Sequence, residues 1–221
     1  MGWWNEQTSK NSASISAGAA SDTGVARDRN EDAYGGFASQ ETEERLFIVA
    51  DGMDGHERGQ EASRTAVAAV HETFFNTQRE TVLERLRRAF HEANERVHGD
   101  AENRKTGGSM GTTATAVARE MQRRGALTAE EARMHPRRGT LTRAIGVEPT
   151  VEVDVREIGP FQAGDHLLLC TDGLENLSET VLREEVLDNA PLRACKQLVQ
   201  RANKREGHDN ATALVVHRVR P

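Results

Sequence analysis

Leu46-Phe-Ile-Val-Ala-Asp51-Gly52 is a short apolar run that stops at Asp-Gly, and Leu167-Leu-Leu-Cys-Thr-Asp172-Gly173 repeats the pattern. His208-Asp209-Asn210, followed by Ala211-Thr-Ala-Leu-Val-Val216, is its mirror image. Short runs rich in branched apolar residues and bounded by Gly or Asn are typical of buried strands. Each aspartate is therefore predicted at the rim of a sheet, where an unpaired carboxylate is costly unless a cation compensates it. We expect these strand ends to form a cluster of hard oxygen ligands.

The composition indicates one globular domain. The chain has 221 residues, of which 36% are hydrophobic and 29% charged, with a net charge of -6. This charge argues against a nucleic-acid partner, because a phosphate backbone demands a concentrated positive face. We also expect no membrane segment, since the chain has neither a signal-peptide pattern nor a run of about 18 apolar residues. Cys170 and Cys195 fit no metal-binding spacing and are predicted as buried, reduced thiols, which favours a cytoplasmic location.

Periodicity predicts an α+β fold. Residues 1–12 are predicted as a flexible lead-in and 13–221 as a single domain. The helices come in adjacent pairs, which favours antiparallel sheets with helices packed outside them over a doubly wound parallel sheet. The predicted strands are 13–20, 45–50, 112–118, 140–145, 150–157, 166–171 and 211–219, and the predicted helices are 61–75, 80–99, 178–187 and 192–204, with helical material also reaching about residue 134.

A fourth acidic site strengthens the case for a metal centre. Arg27-Asp-Arg-Asn-Glu31-Asp32 is a dense polar block after a short strand and turn. Ligation by carboxylate oxygens suits Mg²⁺ or Mn²⁺, whereas Zn²⁺ favours His and Cys. Two such ions bind a phosphoryl oxygen and lower the pKa of a water, and Arg27 is suited to grip the remaining phosphate oxygens. The alternatives are that Asp-Gly marks an ordinary turn and that Arg27 forms a surface salt bridge to Asp28 or Glu31.

The order of the motifs resembles a known family. The chain resembles the bacterial metal-dependent protein phosphatases of the 2C type from about Ala13 to Val219. The resemblance implies two packed antiparallel sheets flanked by pairs of helices, and hydrolysis of phosphoserine and phosphothreonine by a water activated at a two-metal centre. The motifs are Ser21-Asp-Thr-Gly-Val-Ala-Arg27-Asp-Arg-Asn-Glu-Asp32, Asp51-Gly-Met-Asp-Gly-His56-Glu-Arg-Gly-Gln-Glu-Ala-Ser63, Met110-Gly-Thr-Thr113, Leu141-Thr-Arg-Ala-Ile-Gly146, Asp172-Gly-Leu174 and Asp209-Asn-Ala-Thr212.

The resemblance also implies a role for each site residue. Asp51 would bridge two Mg²⁺ or Mn²⁺ ions, and the carbonyl of Gly52 would add a ligand. Asp32 would hold one ion, directly or through water, with Glu31 beside it.

Asp172 and Asp209 would hold the other ion, and Asn210 would orient the site. Arg27 matches the phosphate-binding arginine of the family. His56 is given a contact with the substrate, with a solvated loop histidine as the alternative.

The chain departs from the family pattern in two places. Asp54 stands where the motif has glycine, and no Gly-Asp-Ser-Arg sequence occurs anywhere. Strand-like 112–118 instead turns directly into a flap-like segment, 119–138. The resemblance then implies that the aspartate for a third metal is missing and that some core strands are lost. Strand edges left uncovered favour self-association.

Two functional hypotheses follow. The first is a serine/threonine phosphatase that acts in signal transduction on phosphorylated proteins, opposing a protein kinase. The second is a catalytically impaired module that keeps the fold and binds phosphoproteins or regulatory partners. A calcium loop is excluded because Asp51-Gly-Met-Asp54 lacks the alternating oxygen ligands of an EF-hand, and the segment 107–113 lacks the lysine of a nucleotide-binding P-loop.

Overall fold

A computed structural model describes residues 15–39, 41–42, 44–53, 57–77, 79–103, 110–119, 144–205 and 207–219. In these ranges the strands are β1 (Ile15–Asp22), β2 (Ala33–Ala38), β3 (Arg45–Met53), β4 (Gly111–Arg119), β5 (His166–Cys170) and β6 (Ala211–Arg218). The α-helices are α1 (Glu57–Asn76), α2 (Val82–Asn103), α3 (Glu179–Asp188) and α4 (Pro191–Arg205).

The strands form two antiparallel sheets, which confirms the predicted fold class. One sheet has the order β1-β6-β5 and the other β2-β3-β4. Residues of β3 alternate between two cores, because successive side chains of a strand point to opposite faces. Phe47 and Val49 pack between the sheets against Leu169 and Leu214 of the other sheet.

The outer faces of both sheets are covered by helices. Leu46 and Ile48 of β3 pack on the helix side, in a core that includes Phe74 of α1. On the opposite sheet, Val215 of β6 packs in a core with Leu198 of α4. The order of layers is therefore helix, sheet, sheet, helix, and β3 and β6 are the middle strands of their sheets.

Two buried polar contacts attach α2 to its surroundings. Arg85 forms a two-pronged ion pair with Glu44, and only 3% and 9% of the two side chains are exposed. The guanidinium of Arg85 also lies 4.4 Å from the ring centre of Phe74. Farther along α2, Asn94 donates to the carbonyls of Glu148 and Pro149 and accepts from the amide of Gly146 at 2.8 Å. These contacts fasten the chain around β3 and β4 to the helical layer.

Several sequence predictions need correction. The predicted strand 150–157 is wrong: its valines are partly buried and the residues between them exposed, as in a strand, but it forms no ladder with another described strand. Of the predicted strand 140–145 only residues 144–145 are described, and Ile145 forms an isolated bridge with Thr112. Cys195 is buried and its thiol donates to the carbonyl of Gly18 at 3.1 Å, whereas Cys170, the last residue of β5, is exposed.

Other predictions fall outside the described residues. These are the lead-in 1–12, His56, Asp54 and all of the flap-like segment except Arg119. In the part of the chain that is described, no helix is long and apolar enough to cross a membrane.

Candidate metal centre

The four predicted metal carboxylates come from four strand ends. Asp51 lies near the end of β3, Asp172 follows β5 after one residue, Asp209 precedes β6 and Asp32 immediately precedes β2. Because the sheets are antiparallel, a strand that ends and a neighbouring strand that begins share one end of a sheet. All four side chains consequently stand at the same end of the sandwich, close enough to affect one another electrostatically.

The cluster is electrostatically costly. Burial, with repulsion by Asp32, Asp172 and Asp209 added to it, raises the pKa of Asp51 to about 8. Burial likewise raises the pKa of Asp32 to about 6, against the lowering effect of two hydroxyl hydrogen bonds. A divalent cation among these groups would remove both costs, since an opposite charge favours the ionised carboxylate.

The four carboxylates lie near one another but do not form a complete metal coordination sphere. Among the described residues, no three His, Cys, Asp or Glu side chains stand close enough together to hold one ion. Asp51 lies within hydrogen-bonding reach of Asp172, and the remaining mutual effects on its pKa are charge repulsion, which reaches farther than coordination bonds. The four aspartates are electrostatic neighbours, and their role as metal ligands stays a prediction.

Asp32 presents an oxygen that suits a cation. The residue is only 8% exposed. Its Oδ2 accepts hydrogen bonds from Thr171 at 2.8 Å and Thr212 at 2.6 Å, whereas its buried Oδ1 has no hydrogen-bond partner. An orphaned buried carboxylate oxygen beside three more carboxylates fits Mg²⁺ or Mn²⁺, which bind oxygen ligands.

The backbone of Gly52 and Glu31 packs closely against the start of α1. The amide of Gly52 donates to the carbonyl of Glu31 at 3.2 Å. A Cβ on Gly52 would overlap the backbone of Gly59 at the start of α1, so only glycine fits at this position. Ser63 of α1 donates to the same Glu31 carbonyl at 2.6 Å. The first turns of α1 thus fix the backbone of Glu31 and Gly52, which are the neighbours of Asp32 and Asp51.

Asn210 orients the loop that carries Arg27 and Glu31. Its side chain is buried, accepts from the amide of Glu31 at 2.8 Å and donates to the carbonyls of Thr23 and Arg29. These contacts are consistent with the predicted orienting role, because they fix one end of the polar block relative to β6.

Arg27 lies at the rim of the carboxylate cluster. Its Nη2 is 2.9 Å from Oδ2 of Asp209, and both side chains are 43% exposed. Its Nε also donates to the carbonyl of His208 at 3.4 Å. The ion-pair partner of Arg27 is thus Asp209. The alternative prediction of a surface ion pair with Asp28 or Glu31 is wrong. An exposed guanidinium at this rim is accessible to a phosphate group.

Sequence reasoning missed the two threonines. Thr171 directly precedes Asp172, and Thr212 ends the motif Asp209-Asn-Ala-Thr212, yet neither was given a role. Both are buried and both contact Asp32. Their only signal in the sequence is that each lies within three residues of a predicted metal carboxylate.

Comparisons with known proteins point to one family. Residues 25–129 match the family model described as protein phosphatase 2C. A serine/threonine phosphatase, stp, of Listeria monocytogenes is 32% identical over 237 aligned residues, which cover 89% of this chain and 93% of the relative. The crystal structure of the Mycobacterium tuberculosis serine/threonine phosphatase PstP/Ppp superposes with a TM-score of 0.70 at 26% identity, covering 93% of this chain and 99% of that one. A structure of the catalytic domain of PstP in complex with two manganese ions superposes equally well, with a TM-score of 0.70, 25% identity and the same coverage.

Proposed function

Because the chain belongs to the protein phosphatase 2C family of serine/threonine phosphatases, we propose that it hydrolyses phosphoserine and phosphothreonine in proteins at the carboxylate cluster. The observation that carries this proposal is the convergence of four aspartates at one end of the sandwich, where burial and mutual repulsion raise the pKa of Asp51 to about 8. Such a cluster is unfavourable for a fold unless it holds cations.

We assign the metal ligands to the residues that fit them. Asp51 would be shared by both ions and the carbonyl of Gly52 would add a ligand. Asp32 would hold one ion through its orphaned Oδ1, and Asp172 and Asp209 would hold the other. Two Mg²⁺ or Mn²⁺ ions would supply Lewis-acid polarisation of the phosphoryl group and an activated water. The absence of Gly-Asp-Ser-Arg from the sequence supports two ions and not three.

The remaining site residues would bind the phosphate group or position the backbone beside the metal ligands. The exposed guanidinium of Arg27 would pair with the phosphate oxygens, a geometry for which the planar fork of arginine is suited. Glu31 and Asn210 would hold the backbone beside Asp32, through the 2.8 Å hydrogen bond between them. A substrate contact by His56 and self-association through the outer strands stay predictions. The proposed substrates are proteins phosphorylated by a serine/threonine kinase in the cytoplasm.

The test is phosphate release from a phosphothreonine peptide with and without Mn²⁺. Wild type is expected to turn over only with the metal, and Asp51→Asn to lose turnover, because Asn cannot bridge two cations as an anion does. Asp188→Asn, which removes an exposed carboxylate at the end of α3, is the matched control and should stay active. Metal-dependent turnover that is unchanged in Asp51→Asn would refute the site. Peptide binding without release in wild type would favour the phosphoprotein-binding alternative.

A further inference from the structure

The side chain of Asp32 links the two sheets at the metal end. Asp32 precedes β2 of one sheet, whereas Thr171 follows β5 and Thr212 lies in β6 of the other. Both hydroxyls reach the same carboxylate oxygen, Oδ2, at 2.8 and 2.6 Å. The second oxygen, Oδ1, is buried without a hydrogen-bond partner. Oδ2 of Asp32 therefore accepts two hydrogen bonds from the protein, whereas Oδ1 accepts none.

The hydrogen bonds around Asp32 have a defined direction. A hydroxyl has a single proton, and a carboxylate that ligates a cation has none to give. Thr171 and Thr212 must then both donate to Asp32. Thr212 lies 2.7 Å from the hydroxyl of Ser21 and has to accept from it, while Ser21 accepts from the side-chain amide of Asn30 at 2.7 Å.

The Thr171 hydroxyl is held in the same way. It accepts from the backbone amide of Thr212 at 3.0 Å, so its own proton is directed to Asp32. The backbone amide of Thr171 donates in turn to the carbonyl of Thr212 at 3.1 Å. The hydroxyl protons of both threonines therefore point toward Oδ2, and neither threonine has freedom to turn its proton elsewhere.

We propose that Thr171 and Thr212 are positioning residues, which saturate Oδ2 of Asp32 and so present Oδ1 as its only oxygen toward a divalent metal ion. This inference rests on the proposed function of the carboxylate cluster. Each threonine is close in sequence to a further carboxylate of the cluster, Thr171 beside Asp172 and Thr212 three residues after Asp209. The same two hydroxyls thereby set the position of Asp32 relative to the strand ends that carry the other ligands.

The experiment is a calorimetric titration of the full chain with MnCl₂ after removal of metal. Thr212→Val keeps the shape of the side chain but removes the donor, and we expect the affinity for the ion held by Asp32 to fall about tenfold to hundredfold, as for other residues that orient metal ligands. Thr212→Ser keeps the hydroxyl and should retain an affinity near that of wild type. Thr115→Val, an exposed position on β4, is the matched control and should leave binding unchanged.

A double-mutant cycle separates positioning from a general effect on structure. In the background Asp32→Asn, Thr212→Val should weaken binding of Mn²⁺ no further, since the carboxylate that the hydroxyl positions is already gone. A residue that merely supports β6 would weaken binding in both backgrounds, and that result would overturn the inference. Thermal unfolding verifies that each variant is folded, and Thr171→Val repeats the comparison from another element if Thr212→Val does not fold.

The outcomes distinguish this inference from the proposed function. Mn²⁺ binding by Thr212→Val and Thr171→Val that equals that of an active wild type would overturn the positioning role alone. A wild type that binds no Mn²⁺ would overturn the proposed metal centre, and the inference with it.

Discussion

Replacing Asp51 with Asn is expected to stabilise the metal-free protein at pH 8, although the same change should abolish activity. Burial, with the neighbouring carboxylates adding to it, raises the pKa of Asp51 from 3.8 to about 8. In the unfolded chain the group ionises freely, whereas in the folded protein it either binds a proton or repels its neighbours. Asn is neutral and nearly the same shape, so it avoids this cost.

The magnitude follows from the pKa. One pKa unit corresponds to about 1.4 kcal/mol. A rise of the pKa from 3.8 to about 8 therefore limits the destabilisation of the folded protein by ionised Asp51 to at most about 6 kcal/mol. Because the carboxylates share their mutual repulsion, we expect Asp51→Asn to gain about 2–3 kcal/mol at pH 8.

The pH dependence has a definite sign. Between its unfolded and folded pKa values, Asp51 carries a proton in the folded state and not in the unfolded state, so stability falls as the pH rises. The contribution is fully present below pH 3.8 and is lost as the pH rises through about 8. Asp32, with a pKa raised to about 6 mainly by burial, acts in the same direction over a narrower range.

The assay is urea unfolding in EDTA at pH 5 and pH 8, with Asp188→Asn as the control for a lost surface charge. We expect wild type to lose stability between the two pH values and Asp51→Asn to lose less. Saturation with Mn²⁺ should reverse the order, because a ligand at a hundredfold excess over its Kd stabilises the folded state by about 2.7 kcal/mol. An Asp51→Asn protein that is less stable than wild type in EDTA at pH 8 would refute the electrostatic reasoning.

Four further substitutions test the packing of the fold by thermal unfolding. Gly52→Ala should cost about 3 kcal/mol because its Cβ would overlap the backbone of α1, whereas Gly99→Ala, where nothing lies within 4 Å, should gain about 0.5–1 kcal/mol in α2; equal stability of the two would contradict the close approach. Glu44→Ala should cost about 3–5 kcal/mol, since it leaves the buried guanidinium of Arg85 without its anion. Asn94→Leu should cost about 2–4 kcal/mol by removing three hydrogen bonds to the segment that returns to β4, and a change below about 0.5 kcal/mol would show that this segment is held by other contacts.

The sequence was sufficient for the parts of the fold that have a strong apolar period. β3, β6 and the helices α1 and α2 occur where the pattern predicts them, within a few residues at each end. β2 was missed because Gly35 and Gly36 interrupt its alternation. Its strand character comes from pairing with β3, which is a tertiary effect that no local pattern contains.

The converse error occurred at 150–157. Val151, Val153 and Val155 alternate with exposed residues there, as they would in a half-buried strand. Alternation reports only that one side of the chain faces the core. A strand also requires a hydrogen-bonded neighbour, and the described residues supply none for this segment.

The sequence indicated which charged residues lie near one another, but not the contacts that hold them. Carboxylates at strand ends, with an arginine in the same motif set, were enough to indicate which residues gather. The pairing of Arg27 with Asp209 and of Asp32 with two threonines was not predictable, because partners 139 to 182 residues apart in sequence meet only through the packing of the sheets.

The arrangement of the sheets indicates what the loss of an outer strand would do to the proposed metal centre. Asp51 is on β3 and Asp209 borders β6, the middle strands of their sheets among the described residues. The two carboxylates on outer elements are tied to β6: Asp32 through Thr212 at 2.6 Å, and the segment of Asp172 through the backbone contact between Thr171 and Thr212 at 3.1 Å. Strands missing from an outer edge would expose backbone and apolar surface, which costs stability. They would leave intact the hydrogen bonds that position the carboxylates, so we expect any such loss to reduce the free energy of unfolding before it reduces the affinity for Mn²⁺.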